Sequence, residues 1–374
     1  MWRKLVAMMR FDGPGAGPAT SPLKARPRPD VRPDASPLVE AAFAPNPGNL
    51  RMFEYLPPGL KKGAPMVVVL HGCGQTAAGY DLGAGWSQLA GQMGFAVLAA
   101  EQKAVNNPHT CFDWFNPEDI TRGDGEAASI AAMVQTMIET HGLDARRVFI
   151  TGLSAGGAMS AVMLALYPRM FAGGAIIAGL PFGSARDVRD ALESMRSSSL
   201  KTPAQWGDLV RAASDHQGPW PKLSIWHGAL DTTVNINNAQ ASMAQWADLH
   251  GLSLAAGKQE MMNGAIRLHW GDRLEVYTLP MLGHGTPIDS GDVGQSGPFI
   301  LEAGISSSRR IAEFWGLTPD SLPRPAAKAV VELPSALPDI EHILMRHQHT
   351  PDISDRPREG LILRALKAAG LIKH

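Results

Sequence analysis

The alternation of apolar and polar positions divides the chain into short buried strands and amphipathic helices in regular succession. Residues 65–71 (PMVVVLH) form a continuous apolar run, as expected of a strand covered on both faces, and residues 49–56 (NLRMFEYL), closed by Pro57-Pro58, read as another strand. A helix around 86–93 and a strand over 95–99 follow. The next helix, over 126–140, sets Ile130, Met133, Val134, Met137 and Ile138 on one face and stops at His141-Gly142. Further strands are expected at 148–151, 174–178 and 223–227, with a helix at 237–249 that turns Ala239, Met243 and Trp246 inward. Ile266, Leu268 and Trp270 alternate before Gly271-Asp272, and Leu274 and Val276 alternate after it, which predicts a hairpin. A closing helix is expected at 308–317. This alternation of strands and helices predicts an α/β fold with a mostly parallel central sheet flanked by helices.

The pattern is lost in three places. Residues 11–47 are dense in Pro, Gly, Ala and Arg, so 1–48 reads as a flexible lead-in to a body at 49–317. Residues 182–221 form a long mixed insertion, with Ser197-Ser198-Ser199, Trp206 and Trp220, that reads as a lid. Prolines return from Pro319 to about residue 340, and 359–372 (EGLILRALKAAGLI) is amphipathic, expected to dock on the body or on another subunit.

One strand-to-helix joint carries chemistry. The strand at 148–151 runs through Gly152-Leu153-Ser154-Ala155-Gly156 into a helix with Met159, Val162, Met163 and Leu166 on one side. This is G-x-S-x-G in the strand–turn–helix setting of a nucleophile elbow. The turn strains the serine backbone, aims Ser154 Oγ above the sheet, and requires small neighbours at Gly152, Gly156 and Gly157. Glycines also follow the first central strand, in His71-Gly72-Cys73-Gly74, which makes the Cys73 and Ala155 N–H groups the candidate oxyanion hole. Asp231, in the turn after 223–227, and His284, between two glycines after the last strand, complete the order Ser, Asp, His. His71 and His227 sit at strand ends and read as packing or loop-orienting residues. Trp86, Trp114, Phe115 and Trp226 are the candidates for lining an apolar substrate cleft.

Composition narrows the partners. Among 374 residues, 34 basic and 35 acidic side chains leave a net charge of −1, which argues against nucleic acid or an acidic membrane surface as partner. The apolar piece between Lys4 and Arg10 is shorter than the roughly 7–15 residues of a signal-peptide core, so no secretion signal is expected and the sequence reads as cytoplasmic. The glycine-rich stretch 170–183 falls short of the about 20 residues of a membrane span. Two cysteines, Cys73 and Cys111, are too few for a structural zinc site, and the expected chemistry needs no metal or cofactor. Both fall in loops at one edge of the sheet, where they either bridge or remain separate buried thiols.

The segments LHGCGQT at Leu70, CFDWF at Cys111, RVFITGLSAGGAM at Arg147, WHGALDTTV at Trp226, GHGTPID at Gly283 and GPFILEAGISSSRRIAEFWGL at Gly297 occur in that order. With them the chain resembles the polyhydroxybutyrate-depolymerase-like esterases of the α/β-hydrolase superfamily, over about residues 49–317. The resemblance implies a serine esterase acting on polyhydroxyalkanoate esters or oligomers, with feruloyl or acetyl-xylan esters as the alternative. A peptidase, a thioesterase or a non-catalytic binding protein on the same fold are the remaining readings. Many members of that family are extracellular, an implication at odds with the expectation of no secretion signal.

Overall fold

Every residue of the strand Met66–Leu70 is buried, as are those of its neighbours Ala96–Glu101 and Val148–Leu153, and these runs form the middle of a single large sheet. The computed structural model of the protein describes residues 36–318. In chain order the strands are β1 (Val39–Ala41), β2 (Arg51–Tyr55), β3 (Met66–Leu70), β4 (Ala96–Glu101), β5 (Val148–Leu153), β6 (Gly173–Ile177), β7 (Lys222–Gly228), β8 (Lys258–Met262), β9 (Ala265–Trp270), β10 (Leu274–Leu279), β11 (Thr286–Ile288) and β12 (Ile300–Glu302). The helices are α1 (Ala77–Ala84), α2 (Trp86–Met93), α3 (Gly125–His141), α4 (Ala155–Leu166), α5 (Val188–Arg196), α6 (Pro203–Arg211), α7 (Asn237–Leu249) and α8 (Ser307–Phe314). Ten strands lie in the order β1-β2-β4-β3-β5-β6-β7-β10-β9-β8, parallel from β4 to β10 and antiparallel at both edges. β11 and β12 form a separate parallel pair. This is the α/β-hydrolase architecture, with helices on both sides of a mostly parallel sheet.

The expected hairpin is present: β9 and β10 pair antiparallel with Trp270 opposite Leu274. Besides the β11–β12 pair, and outside the insertion, three elements lie where none was expected. β1 pairs with β2, so the sheet begins inside the stretch assigned to the lead-in. β8, with the sequence KQEMM, is an exposed to half-buried edge strand whose polar face hides its period. α1, with the sequence AAGYDLGA, is built of small residues and held by its N-cap, Thr76 accepting from the Gly79 N–H at 3.1 Å. The insertion holds α5 and α6, both pinned to α7. The Gln245 side chain bonds Phe182 N, Phe182 O and Trp206 O, and Asn238 Nδ2 donates to Ser194 O at 2.8 Å. Residues 1–35, which hold most of the expected lead-in, and the expected amphipathic helix at 359–372 lie outside the described residues.

Two of the four aromatic candidates belong to the core and not to a cleft. Trp226 is fully buried, stacked on Tyr277 at 3.7 Å with Nε1 donating to Ser224 Oγ. Trp86 is equally buried, stacked on Trp315 at 5.9 Å and edge-on to Phe95. The reason lies in strand and helix geometry. Trp226 projects from the face of β7 two residues before its end, under the covering layer, and Trp86 opens α2 on its inner side.

A long connection between β4 and α3 is held from behind by carboxyls. Glu126, buried in the first turn of α3, accepts from the Asp113 N–H at 2.9 Å and from the Gln102 side chain, whose amide also reaches Cys111 O. Asp113 accepts from Asn107 Nδ2 and Asp119 from Asn116 Nδ2. Burial raises all three carboxyls. Glu126 stands well above its ordinary range, with Asp113 and Asp119 adding repulsion, and Asp113 is pushed up to about 6 against the opposing hydrogen bond from Asn107.

Two measurements check these features. A Cβ on Gly156 would lie 2.4 Å from Leu70 O and 2.5 Å from His71 O, so Gly156→Ala should destabilise the fold by about 1–3 kcal/mol in denaturant unfolding. An unchanged midpoint would mean that the crossing can open. A raised folded-state carboxyl favours the folded form below its unfolded pKa, and that contribution is lost as pH rises through the folded value of about 6. Asp113→Asn should therefore match the wild type in thermal melts below pH 4 and melt higher than it at pH 8. Parallel melting curves across that range would contradict the placement of Asp113.

Candidate active site

β5 ends in the turn that places Ser154 at φ 56°, ψ −116°, a backbone conformation that non-glycine residues rarely hold and that here is fixed from both sides. The Ser154 N–H donates to Ile177 O on β6, and its carbonyl accepts the Ala158 N–H of α4, each at 2.9 Å. The turn closes because its glycines admit no side chain. A Cβ on Gly152 would lie 2.4 Å from the Gly156 carbonyl carbon, and one on Gly157 would lie 2.9 Å from Gly152 O.

His284 bridges the serine to the acid. Its Nε2 lies 2.9 Å from Ser154 Oγ and its Nδ1 lies 2.7 Å from Asp231 Oδ2. An ionised Asp231 can only accept, so the proton sits on Nδ1, and Nε2 is free to accept from the Ser154 hydroxyl. The loop carrying His284 folds onto the end of β7, where a Cβ on Gly228 would fall 2.2 Å from Leu282 O. Asp231 is held by the turn it belongs to. Its Oδ1 accepts the Thr233 and Val234 N–H groups at 2.8 Å each. His227 Nε2 stands 3.2 Å from the other oxygen and 2.8 Å from Val234 O. Burial alone would raise the Asp231 carboxyl, but hydrogen bonds from His227 and His284 outweigh it and hold the group well below the usual carboxylate range.

Cys73 and Ala155 both line the cleft that opens at Ser154. Ala155 is the first residue of α4, so its N–H has no intrahelical acceptor. Cys73 and Cys111 form a disulfide, with Cα atoms 4.3 Å apart, which resolves the question left open by the sequence. The bond joins the Gly72–Gln75 turn to the loop carrying Trp114 and Phe115. Backbone adds a second link, Gly74 N–H donating to His109 O at 2.7 Å.

The cleft measures about 230 Å³, and among the described residues none that lines it is Asp, Glu, Lys or Arg. Trp114 and Phe115, edge to face at 5.4 Å, form one wall. The insertion forms another through Ala191 and Met195 of α5. Phe299 sits at the rim, nearly half exposed, with its ring edge-on to His284 at 5.9 Å and its backbone at φ 60°. Leu180, Met195, Val234 and Phe299 escape a reading of the sequence, and the only signal for Phe299 is its place in the GPFILEAG segment. Trp86 and Trp226 are absent from the lining. Among the described residues, the side chains of Asp113, Asp119 and Glu126 are close enough to gather a cation, their oxygens within 4.8 Å of one another. They lie outside the cleft lining, and each already accepts a hydrogen bond.

No helix among the described residues is long and apolar enough to cross a membrane. Residues 50–267 match the family described as esterase PHB depolymerase. Over 285 residues the chain is 43% identical to poly(3-hydroxyalkanoate) depolymerase C of Paucimonas lemoignei, an alignment covering 74% of this chain and 69% of that protein. Over 256 residues it is 34% identical to an acetylxylan esterase of Coprinopsis cinerea, covering 66% of this chain and 68% of the relative. Among solved structures it is similar to an acetyl xylan esterase from Aspergillus awamori, with a TM-score of 0.66 and 27% identity over 75% of this chain and 99% of that one. With more than half of the chain matched by one family and such identity to one of its depolymerases, the protein belongs to the PHB depolymerase family of esterases and is a carboxylic ester hydrolase.

Proposed function

We propose that the protein hydrolyses polyhydroxyalkanoate esters, polyhydroxybutyrate or its oligomers among them, through an acyl-enzyme on Ser154. The observation that carries this reading is the unbroken chain from Asp231 through His284 to Ser154 Oγ at the mouth of an aromatic cleft without fixed charge. His284 takes the hydroxyl proton as Ser154 attacks the ester carbonyl, and Asp231 holds the imidazole in the required tautomer. The Cys73 and Ala155 N–H groups stabilise the oxyanion. His284 then returns the proton to the departing alcohol, and water repeats the cycle on the acyl-enzyme.

An uncharged apolar cleft favours a flexible aliphatic polyester over a sugar ester, which needs several placed polar partners. The resemblance to a poly(3-hydroxyalkanoate) depolymerase at 43% identity supports the same choice. Acetyl-xylan esters are the second reading, favoured by relatives at 34% identity that bear that activity in their names.

Ser154→Ala and His284→Ala should each lower ester turnover by roughly 10⁴-fold or more with the fold intact, and Asp231→Asn by roughly 10³-fold or more. Near wild-type turnover in purified Ser154→Ala or His284→Ala would refute the triad. Catalytic efficiencies on hydroxybutyrate oligomers, feruloyl esters and acetylated xylan decide the substrate. A tenfold preference for either sugar-derived ester, about 1.4 kcal/mol, would overturn the polyester reading. Trp114→Ala should weaken oligomer cleavage more than cleavage of a short nitrophenyl ester, whose contacts lie close to Ser154.

A further inference from the structure

We propose that His71 is a positioning residue for the oxyanion hole, its imidazole fixing the peptide group whose N–H belongs to Cys73. The inference rests on the reading of Cys73 N–H as an oxyanion donor.

His71 directly follows β3 and has no solvent exposure. Its ring lies 5.0 Å from that of Phe112, and both its nitrogens are engaged. The Gln102 N–H points at Nε2, 3.1 Å away, and an N–H can donate only to an unprotonated ring nitrogen. The proton therefore sits on Nδ1, which donates to Gly72 O at 2.8 Å. One tautomer satisfies both contacts, and the other would set two hydrogens facing each other at Nε2. Burial lowers the pKa of the ring, which keeps it neutral.

The target of this bond is what matters for catalysis. In a trans peptide the C=O and the following N–H point in opposite directions across one rigid plane. Whatever fixes Gly72 O therefore fixes Cys73 N–H. Two donors hold that oxygen, His71 Nδ1 and the Gln75 N–H at 3.2 Å, while Gln75 Oε1 accepts the Gly72 N–H at 2.9 Å. The Cys73 N–H itself has no hydrogen-bond partner among the described residues, and its residue lines the cleft beside Ser154. Gly74, at φ 73°, lets the chain turn away immediately afterwards. Without the imidazole, the glycine-flanked peptide could rotate and lose the donor. A neutral ring aims it without adding charge to the cleft.

The test uses the full chain and a short nitrophenyl ester. His71→Phe keeps the volume and the contact with Phe112 but has no donor. His71→Asn keeps an N–H near the position of Nδ1. Removing an oxyanion donor outright costs roughly 10²–10³ in kcat, so a misaligned one in His71→Phe should cost roughly tenfold to a hundredfold in kcat, with KM within about twofold. Affinity for an alkyl boronic acid, whose tetrahedral serine adduct uses the same N–H groups, should fall by a similar factor. His71→Asn should recover most of both losses. A folded His71→Phe with wild-type kcat, or equal loss in the Phe and Asn variants, would overturn the proposal. Should His71→Phe not fold, ¹⁵N spectra of the wild type decide. The ring should carry its proton on Nδ1, and that resonance should shift when boronic acid binds. A ring protonated on Nε2, or a resonance indifferent to the adduct, would overturn it. A Ser154→Ala variant with wild-type turnover would instead refute the triad, an outcome that the His71 series, read relative to wild type, cannot produce.

Discussion

The whole site hangs on a crossing of three backbones too close to admit a methyl group. Where α4 begins, Gly156 rests against the carbonyls of Leu70 and His71 at the end of β3, and Gly152 at the end of β5 rests against Gly156. These contacts set Ser154 relative to the neighbouring strand end through main chain alone, without an intervening rotamer that could relax. Cys73 follows β3 by three residues and Ser154 follows β5 directly, so the pairing of these two strands brings both to the same edge of the sheet. Gly228 repeats the device two strands away, where it lets the His284 loop lie on the end of β7.

Loops complete what the sheet begins, and they need other supports. The connection from β4 to α3 is long for a segment without regular structure, and such segments are ordered only when something ties them down. Here the ties are covalent at Cys73–Cys111, polar at Glu126 and Gln102, and aromatic at His71–Phe112. The Gly72–Gln75 turn and the Trp114 wall are thereby tied to each other.

The elements that could be read in the sequence were those whose burial is one-sided or complete. β3 shows an unbroken apolar run, β5 a β-branched and aromatic one, α3 and α7 show a stripe, and the glycines around Ser154 and His284 mark the places where backbone must crowd or turn. The elements that could not be read were those whose pattern is set by a partner. β1 shows only three residues and relies on β2, and β8 is a polar edge. Tryptophan type does not reveal which end of an element it faces, so Trp114 and Trp226 looked alike although one lines the cleft and the other stacks on Tyr277. Met195 and Val234 come together only through the docking of α5 near the Asp231 turn, where the Asn235 N–H donates to Met195 O at 2.8 Å, a tertiary event with no local signature. His71 and His227 were recognisable as strand-end histidines, but their hydrogen-bonded partners were not.

The absence of fixed charge from the cleft also governs what happens after the bond is cut. Ester hydrolysis leaves a carboxylate where a neutral group had been, beside Ser154 and the Cys73 and Ala155 N–H groups, and among the described lining residues there is no lysine or arginine to pair with it. An ion without a counter-charge in such surroundings forfeits hydration that the neutral ester never had to give up. Departure of the acid is therefore favoured by resolvation.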